Sequence, residues 1–272
     1  MSSMQHSSDC WTDPLEQAGY LEFHGAHIYS VLHGVRDPIA RVLLVGPFAS
    51  ERYFSYVQWV RWARLLAAQG IETLRFDYRG VGESTGAFED MSFRSWSEDV
   101  AFLAGWLNRR APEAPLILHG LELGALLASR TFSSGLGDAL LLWSTPANGN
   151  DVLRRPLARQ VFKSVYERKP LSHWISELEA DHSLEVEGYP WTGKLWRDSF
   201  EFTTPFGKGE EAAVAEDGRP VKLVKLDGTP AAALKGSSMG YIVANNLDLS
   251  GMFAQNLEWI LEAVPVRAGR LQ

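Results

Sequence analysis

Residues 115–132 read PLILHGLELGALLASRTF. The first six form a short apolar run suited to a strand, and the last twelve space Leu, Ala and Phe as a helix does. Between them lies Gly120-Leu121-Glu122-Leu123-Gly124, a tight strand-to-helix turn with a glycine at either end. Glycine belongs there because a side chain would collide with the neighbouring strand and helix. Outward from this turn the pattern repeats. RVLLVGPF (41–48) is a near-continuous apolar run, as in a strand buried on both faces of a parallel sheet, followed by the loop GPFASER. Val57, Val60, Trp62, Leu65 and Leu66 then mark a crossover helix over 56–68, with Gly70 as its cap. IETLRFDY (71–78) is the next strand, RGVGESTG (79–86) a glycine-rich loop, and roughly 92–109 a second helix; ALLLWSTP (139–146) is a further strand.

Strand and helix alternate, so the sheet is expected to be doubly wound and mostly parallel, with right-handed crossovers. YLEFHGAHIYSVLH (20–33), broken by Gly25, suits a two-stranded antiparallel start after a polar tail over 1–19. Periodicity weakens over 150–218, which reads as an insertion or cap after the sixth strand: a helix near 151–167, then LEVEGY and the Gly-rich GKGEEAAVAEDGRP. The sheet resumes with VKLVKLD (221–227) and YIVANN (241–246), and SGMFAQNLEWILEAV (250–264) closes the chain as an amphipathic helix. The core is therefore assigned to 20–149 and 219–272.

At 272 residues and 46% hydrophobic, one large domain is expected, able to bury about three quarters of its unfolded surface. With 26 Lys and Arg against 33 Asp and Glu, and no basic run longer than pairs such as Arg154-Arg155, nucleic acid is not an expected partner. A single cysteine, Cys10, excludes an intrachain disulfide and a thiolate cluster and fits a reducing cytoplasm. No signal-peptide h-region and no 18-residue apolar run is readable. No cofactor and no metal site is expected, and the oligomeric state is not legible.

The order of elements, with the glycine-flanked turn after a central strand, is that of the α/β-hydrolase fold, whose nucleophile sits at the centre of G-x-S-x-G. Here that centre is Glu122. A literal match, Gly236-Ser237-Ser238-Met239-Gly240, lacks the context: poor strand formers precede it and a strand-like YIVA follows. The general base is missing too, since no histidine follows His182 and the loop where it belongs reads NNLDLS, with Asn245, Asn246 or Asp248 in its place. Asp227 occupies the expected position of the triad acid, with Asp151 as an alternative.

A nucleophilic Glu122 would carry its oxygen about an ångström beyond the aspartate found there in dehalogenases and epoxide hydrolases, an error worth roughly 100-fold in rate. Three other roles remain for it: a helix-start carboxylate favoured by the macrodipole, a ligand-binding carboxylate, or a general acid or base. The Leu123 N–H, with that of Phe48 or Ala49, is a candidate oxyanion hole. Ser50, Glu51 and Arg52 follow a strand at the sheet edge where ligands are bound. Asp77, Arg79 and Glu83 are expected to brace the loop that holds them. His24, His27 and His33 read as ordinary strand residues; His119 stands close to the turn and is a candidate partner of Glu122, as are His173 and His182 from the cap. Trp143, Trp191 and Trp196 are candidate cleft residues.

GPFASERYFSY, RFDYRGVGESTGAFEDMSFRSW, GLELGALLA, LLLWSTP and LEVEGY resemble the hydrolases associated with exosortase A systems, particularly the second type, over roughly residues 20–200. That family's turn also tends to carry a non-serine centre, which maps onto Glu122. The resemblance implies the α/β-hydrolase fold and an association with exopolysaccharide production and protein sorting at the bacterial envelope. DYRGVGES is more distantly similar to serine aminopeptidase-like hydrolases, whose catalytic Ser and His have no counterparts here. The expectation is a protein without serine chemistry that binds a small molecule or protein partner in its cleft. The alternatives are an active hydrolase using Glu122 as acid or base, and a structural or assembly protein.

Overall fold

The computed structural model describes residues 15–163, 169–206, 211–225 and 248–264. Its sheet is built from β1 (Leu15–Phe23), β2 (Ala26–Gly34), β3 (Ala40–Val45), β4 (Ile71–Phe76), β5 (Leu116–Leu121), β6 (Ala139–Trp143), β9 (Glu211–Val214) and β10 (Pro220–Val224). Across the sheet the order is β1-β2-β4-β3-β5-β6-β10-β9. The interior pairs β4–β3–β5–β6–β10 are all parallel, and antiparallel strands stand at both edges. This is the α/β-hydrolase fold read from the sequence.

Crossovers are made by α1 (Ala49–Ala68), α2 (Phe93–Arg110) and α3 (Leu123–Ser133). The segment after β6 contributes α4 (Gly149–Lys163), α5 (Leu171–Glu179), the hairpin β7 (Leu184–Val186) and β8 (Tyr189–Trp191), and α6 (Gly193–Ser199); α7 (Ser250–Ala263) follows β10. Alternation along β5 explains why the sheet is coated on both faces. Leu116 and Leu118 join one core with Trp96, Leu103 and Leu126, and the buried Trp191 and Trp196 of the insertion cap the same side. Ile117 and Leu121 face the other way, toward Trp59, Trp62 and Leu66 of α1 and Phe253 and Ile260 of α7. Each fully buried leucine in these layers contributes about 1.5–3 kcal/mol relative to exposure.

Three readings are revised. β1 begins at Leu15, inside the stretch read as a polar tail. The Gly-rich end of the insertion holds an edge strand, β9, which pairs antiparallel with β10; a run of only four residues flanked by Gly and charges gives too little alternation to be seen. Trp143, Trp191 and Trp196 are 3%, 0% and 1% exposed and so line the core instead of an open cleft. YIVANN, Asp227, Asn245, Asn246 and the Gly236–Gly240 match lie outside the described residues.

Candidate functional site

The turn between β5 and α3 keeps the geometry of a nucleophile elbow. Glu122 sits at φ 54°, ψ −119° as the N-cap of α3, a conformation that an L-residue adopts only under strain. Its backbone N–H donates to Trp143 O at 3.1 Å and its carbonyl accepts from Ala125 N at 2.9 Å, so both ends of the strained residue are held. The flanking glycines are needed for close approach. A Cβ on Gly124 would run into the carbonyl oxygens of Val45 and Gly46, and one on Gly120 into the backbone of Ala125. Facing the elbow, the loop after β3 carries a second strained residue, Ala49, at φ 54°. Phe48 caps α1 without a side-chain bond. Ala49 and Leu123 are the first residues of α1 and α3, so their N–H groups have no intrahelical acceptor and remain the candidate oxyanion donors.

The carboxylate of Glu122 does not cap its helix. It accepts from Arg155 Nη2 of α4 at 2.9 Å, with side chains 14% and 41% exposed respectively. Burial pushes the Glu122 carboxyl above the usual range, a shift that the Arg155 guanidinium opposes and Glu51 reinforces. A second arginine one turn along α4 ties the insertion down again: Arg159 reaches Glu51 at 3.1 Å and Glu187 of the β7–β8 turn at 2.8 Å. The Phe48 ring lies 5.2 Å from Trp96 and 6.2 Å from Trp191, centroid to centroid, and all three are buried.

His119 is not a partner of Glu122, which corrects the reading that placed it in the cleft. Strand alternation turns it to the α1 face, fully buried 5.0 Å from Trp59 and 4.4 Å from Trp143. Its Nδ1 lies 3.0 Å from the Leu141 carbonyl and must carry the proton, since a carbonyl only accepts. Burial holds its pKa down at about 3, so the ring is neutral. The other described histidines are occupied elsewhere: His24 packs at a tilt against Phe23, His27 meets Tyr20 edge to face, His33 accepts from Arg75, His173 packs on Trp174, and His182 pairs with Glu177. Asp151 bonds Asn148, and Asp248 accepts from the Ser250 N–H at the start of α7. Ser50 lies in the first turn of α1.

Arg52, Asp77, Arg79 and Glu83 brace the β4 loop. Arg52 pairs with Asp77 at 2.6 Å, Asp77 Oδ2 accepts the Glu83 N–H at 3.0 Å, and Arg79 pairs with the buried Asp99. The residues that the sequence reading missed are Arg155, Arg159 and Glu187. The i, i+4 spacing of the two arginines was the available signal, but nothing local to the chain says which carboxylates they meet. Among the described residues no three His, Cys, Asp or Glu side chains are grouped to hold a metal, and no helix is long and apolar enough to cross a membrane.

The family described as "Serine aminopeptidase, S33" matches residues 33–180, more than half of the chain. The lysophosphatidylserine lipase ABHD12 of Danio rerio is 32% identical over 117 residues, which cover 41% of this chain and 29% of that protein's length. Among solved structures, Est1E of Butyrivibrio proteoclasticus with ferulic acid bound superimposes with a TM-score of 0.59 at 18% identity, covering 91% of this chain and 99% of that one. A soluble variant of the monoglyceride lipase of Saccharomyces cerevisiae, in complex with a substrate analogue, gives 0.56 at 11% identity, covering 94% and 98%. These two likenesses carry the fold.

Proposed function

The chain belongs to the serine aminopeptidase S33 family, and from that premise we propose that it has lost serine chemistry and works as a binding or auxiliary protein. One observation carries the proposal: the residue on the strained elbow is Glu122, and its carboxylate is engaged by Arg155 from the insertion above it. A carboxylate in an ion pair is a weaker nucleophile and base than a free one. The chain has no histidine after His182 to return a proton to a leaving group.

Its finer role is proposed from the resemblance of GPFASERYFSY, RFDYRGVGESTG and GLELGALLA to exosortase-associated hydrolases of the second type: a cytoplasmic partner of envelope and exopolysaccharide processes. A second reading has one observation in its favour, the upward shift of the Glu122 carboxyl by burial, which would suit a general acid acting on an ester.

The proposal is tested by incubating the purified chain with a fluorophosphonate and reading its intact mass. No adduct is expected. A stoichiometric adduct on any serine, Ser238 in the G-S-S-M-G segment included, overturns the loss of serine chemistry.

A further inference from the structure

One strand over from the elbow, between the ends of β3 and β4 and the first turns of α1, a narrow cavity of about 30 Å³ opens to solvent. A single water needs about 10–15 Å³ on the same measure, so the space admits a group the size of a carboxylate and not an acyl chain. Val31, Trp59 and Phe76 give it apolar walls, while Arg52, Arg75 and Tyr56 supply its polar side.

The charges here are unequal. Asp77 is saturated by Arg52 on Oδ1 and by the Glu83 N–H on Oδ2. Arg75 shares the single carboxylate of Glu16 with Arg64, at 2.9 and 2.7 Å. Among the residues that line the cavity, two guanidiniums, Arg52 and Arg75, therefore stand against one carboxylate, Asp77, and the Glu16 carboxylate beyond the lining is divided between Arg75 and Arg64, on a chain of formal net charge −7. His33 accepts from Arg75 Nε at 3.2 Å and adds no charge near neutrality, because burial and the Arg75 guanidinium hold its pKa down at about 4. Tyr56 stands 45% exposed with both cations against its ring, Arg52 at 6.0 Å and Arg75 at 5.7 Å from the centroid.

An apolar-walled space with a surplus guanidinium and an exposed aromatic face suits a small anion attached to a flat group, since arginine matches carboxylate and phosphate oxygens in geometry as well as charge. We infer that this cavity is an anion-binding subsite, taking the carboxylate or phosphate group of a small ligand whose flat portion lies on Tyr56. The inference rests on the ligand-binding reading of the chain and names the chemistry of what it binds.

Calorimetric titration of the full chain with benzoate, phenyl phosphate and the neutral isostere benzamide tests it. At least one anion binds, benzamide binds about tenfold or more weakly by comparison, and the stronger of the two anions identifies the head group. Arg75→Gln weakens anion binding by about tenfold. Glu16→Gln, which strips Arg75 of its counter-charge, tightens it several-fold, a gain that a damaged fold does not produce. Should Arg75→Gln fail to fold, Glu16→Gln alone decides. Benzamide binding as well as benzoate, anion affinity unmoved by Glu16→Gln, or no binding of either anion overturns the subsite. Ester turnover that depends on Glu122 would instead sink the non-catalytic reading and leave these titrations untouched.

Discussion

The elbow at 120–124 and the β4 loop at 77–86 are both tight turns at the same edge of the sheet, yet they solve their conformational problem differently. In the β4 loop the left-handed positions are glycines, Gly80, Gly82 and Gly86, at φ 73°, 62° and 108°. At the elbow and the loop facing it the left-handed positions are Glu122 and Ala49, both at φ 54°, while Gly120 and Gly124 serve close approach. The β4 loop also satisfies its charges within the fold's own core elements, Arg52 of α1 on Asp77 and Arg79 on the buried Asp99 of α2, whereas Glu122 depends on an arginine from the insertion. The elbow thus keeps a strain costing about 1–3 kcal/mol that glycine would relieve, around a carboxylate paired with Arg155.

The largest expected effect separates the two uses of glycine. Gly124→Ala drives a methyl into main-chain carbonyls that cannot yield and is expected to cost about 3 kcal/mol or more. Gly82→Ala meets the Asp77 and Arg52 side chains at a left-handed φ and is expected to cost about 1–2 kcal/mol. Urea unfolding gives both values, and equal costs would erase the distinction.

Behind the elbow, His119 makes the fold acid-sensitive. Its pKa is about 3 folded against 6.5 unfolded, so below pH 6.5 the unfolded chain takes up a proton that the folded chain refuses. Stability is full above that value and falls as the pH drops, by up to about 1.4 kcal/mol per unit. His33, folded at about pKa 4, adds to the same slope. Unfolding measured from pH 7 to 5 in the wild type and in His119→Gln is expected to show a shallower slope in the variant; parallel slopes would mean that His119 is not buried neutral.

At the strained position, Glu122→Gly is expected to be about 1–2 kcal/mol more stable than Glu122→Ala, since both lose the Arg155 contact and only glycine relaxes φ 54°. Equal stability would remove the strain argument. The smallest effect is Arg155→Ala. Because Arg155 is 41% exposed, screening limits the loss to about 0.5–1 kcal/mol, and added salt should shrink the gap between variant and wild type.

The elbow's five residues were legible because both of its needs, apolar strand before and close-approach glycines within, are written locally. The parallel core was legible for a similar reason: β3, β5 and β6 are near-continuous apolar runs, broken only by Arg41 in β3 and His119 in β5. What could not be read is what the fold brings together from afar. His119 is adjacent to the elbow in sequence, but the two-residue period of a strand turns it to the opposite face, into Trp59 and Trp143. Arg155 lies 33 positions from Glu122, and only the packing of α4 over the sheet edge joins them. Short β9 failed for a third reason, since an edge strand of four residues carries too few side chains for alternation to register.

The most direct test of the proposal that the elbow keeps its shape without serving catalysis is the ratio of ester-hydrolysis rates, wild type to Glu122→Gln, over a panel of p-nitrophenyl acyl esters across pH 5 to 9. A ratio of about 1 at every pH is predicted, both proteins giving only background. A ratio of about 10 or more, following the titration of one carboxyl group, would contradict it and make Glu122 a working catalyst.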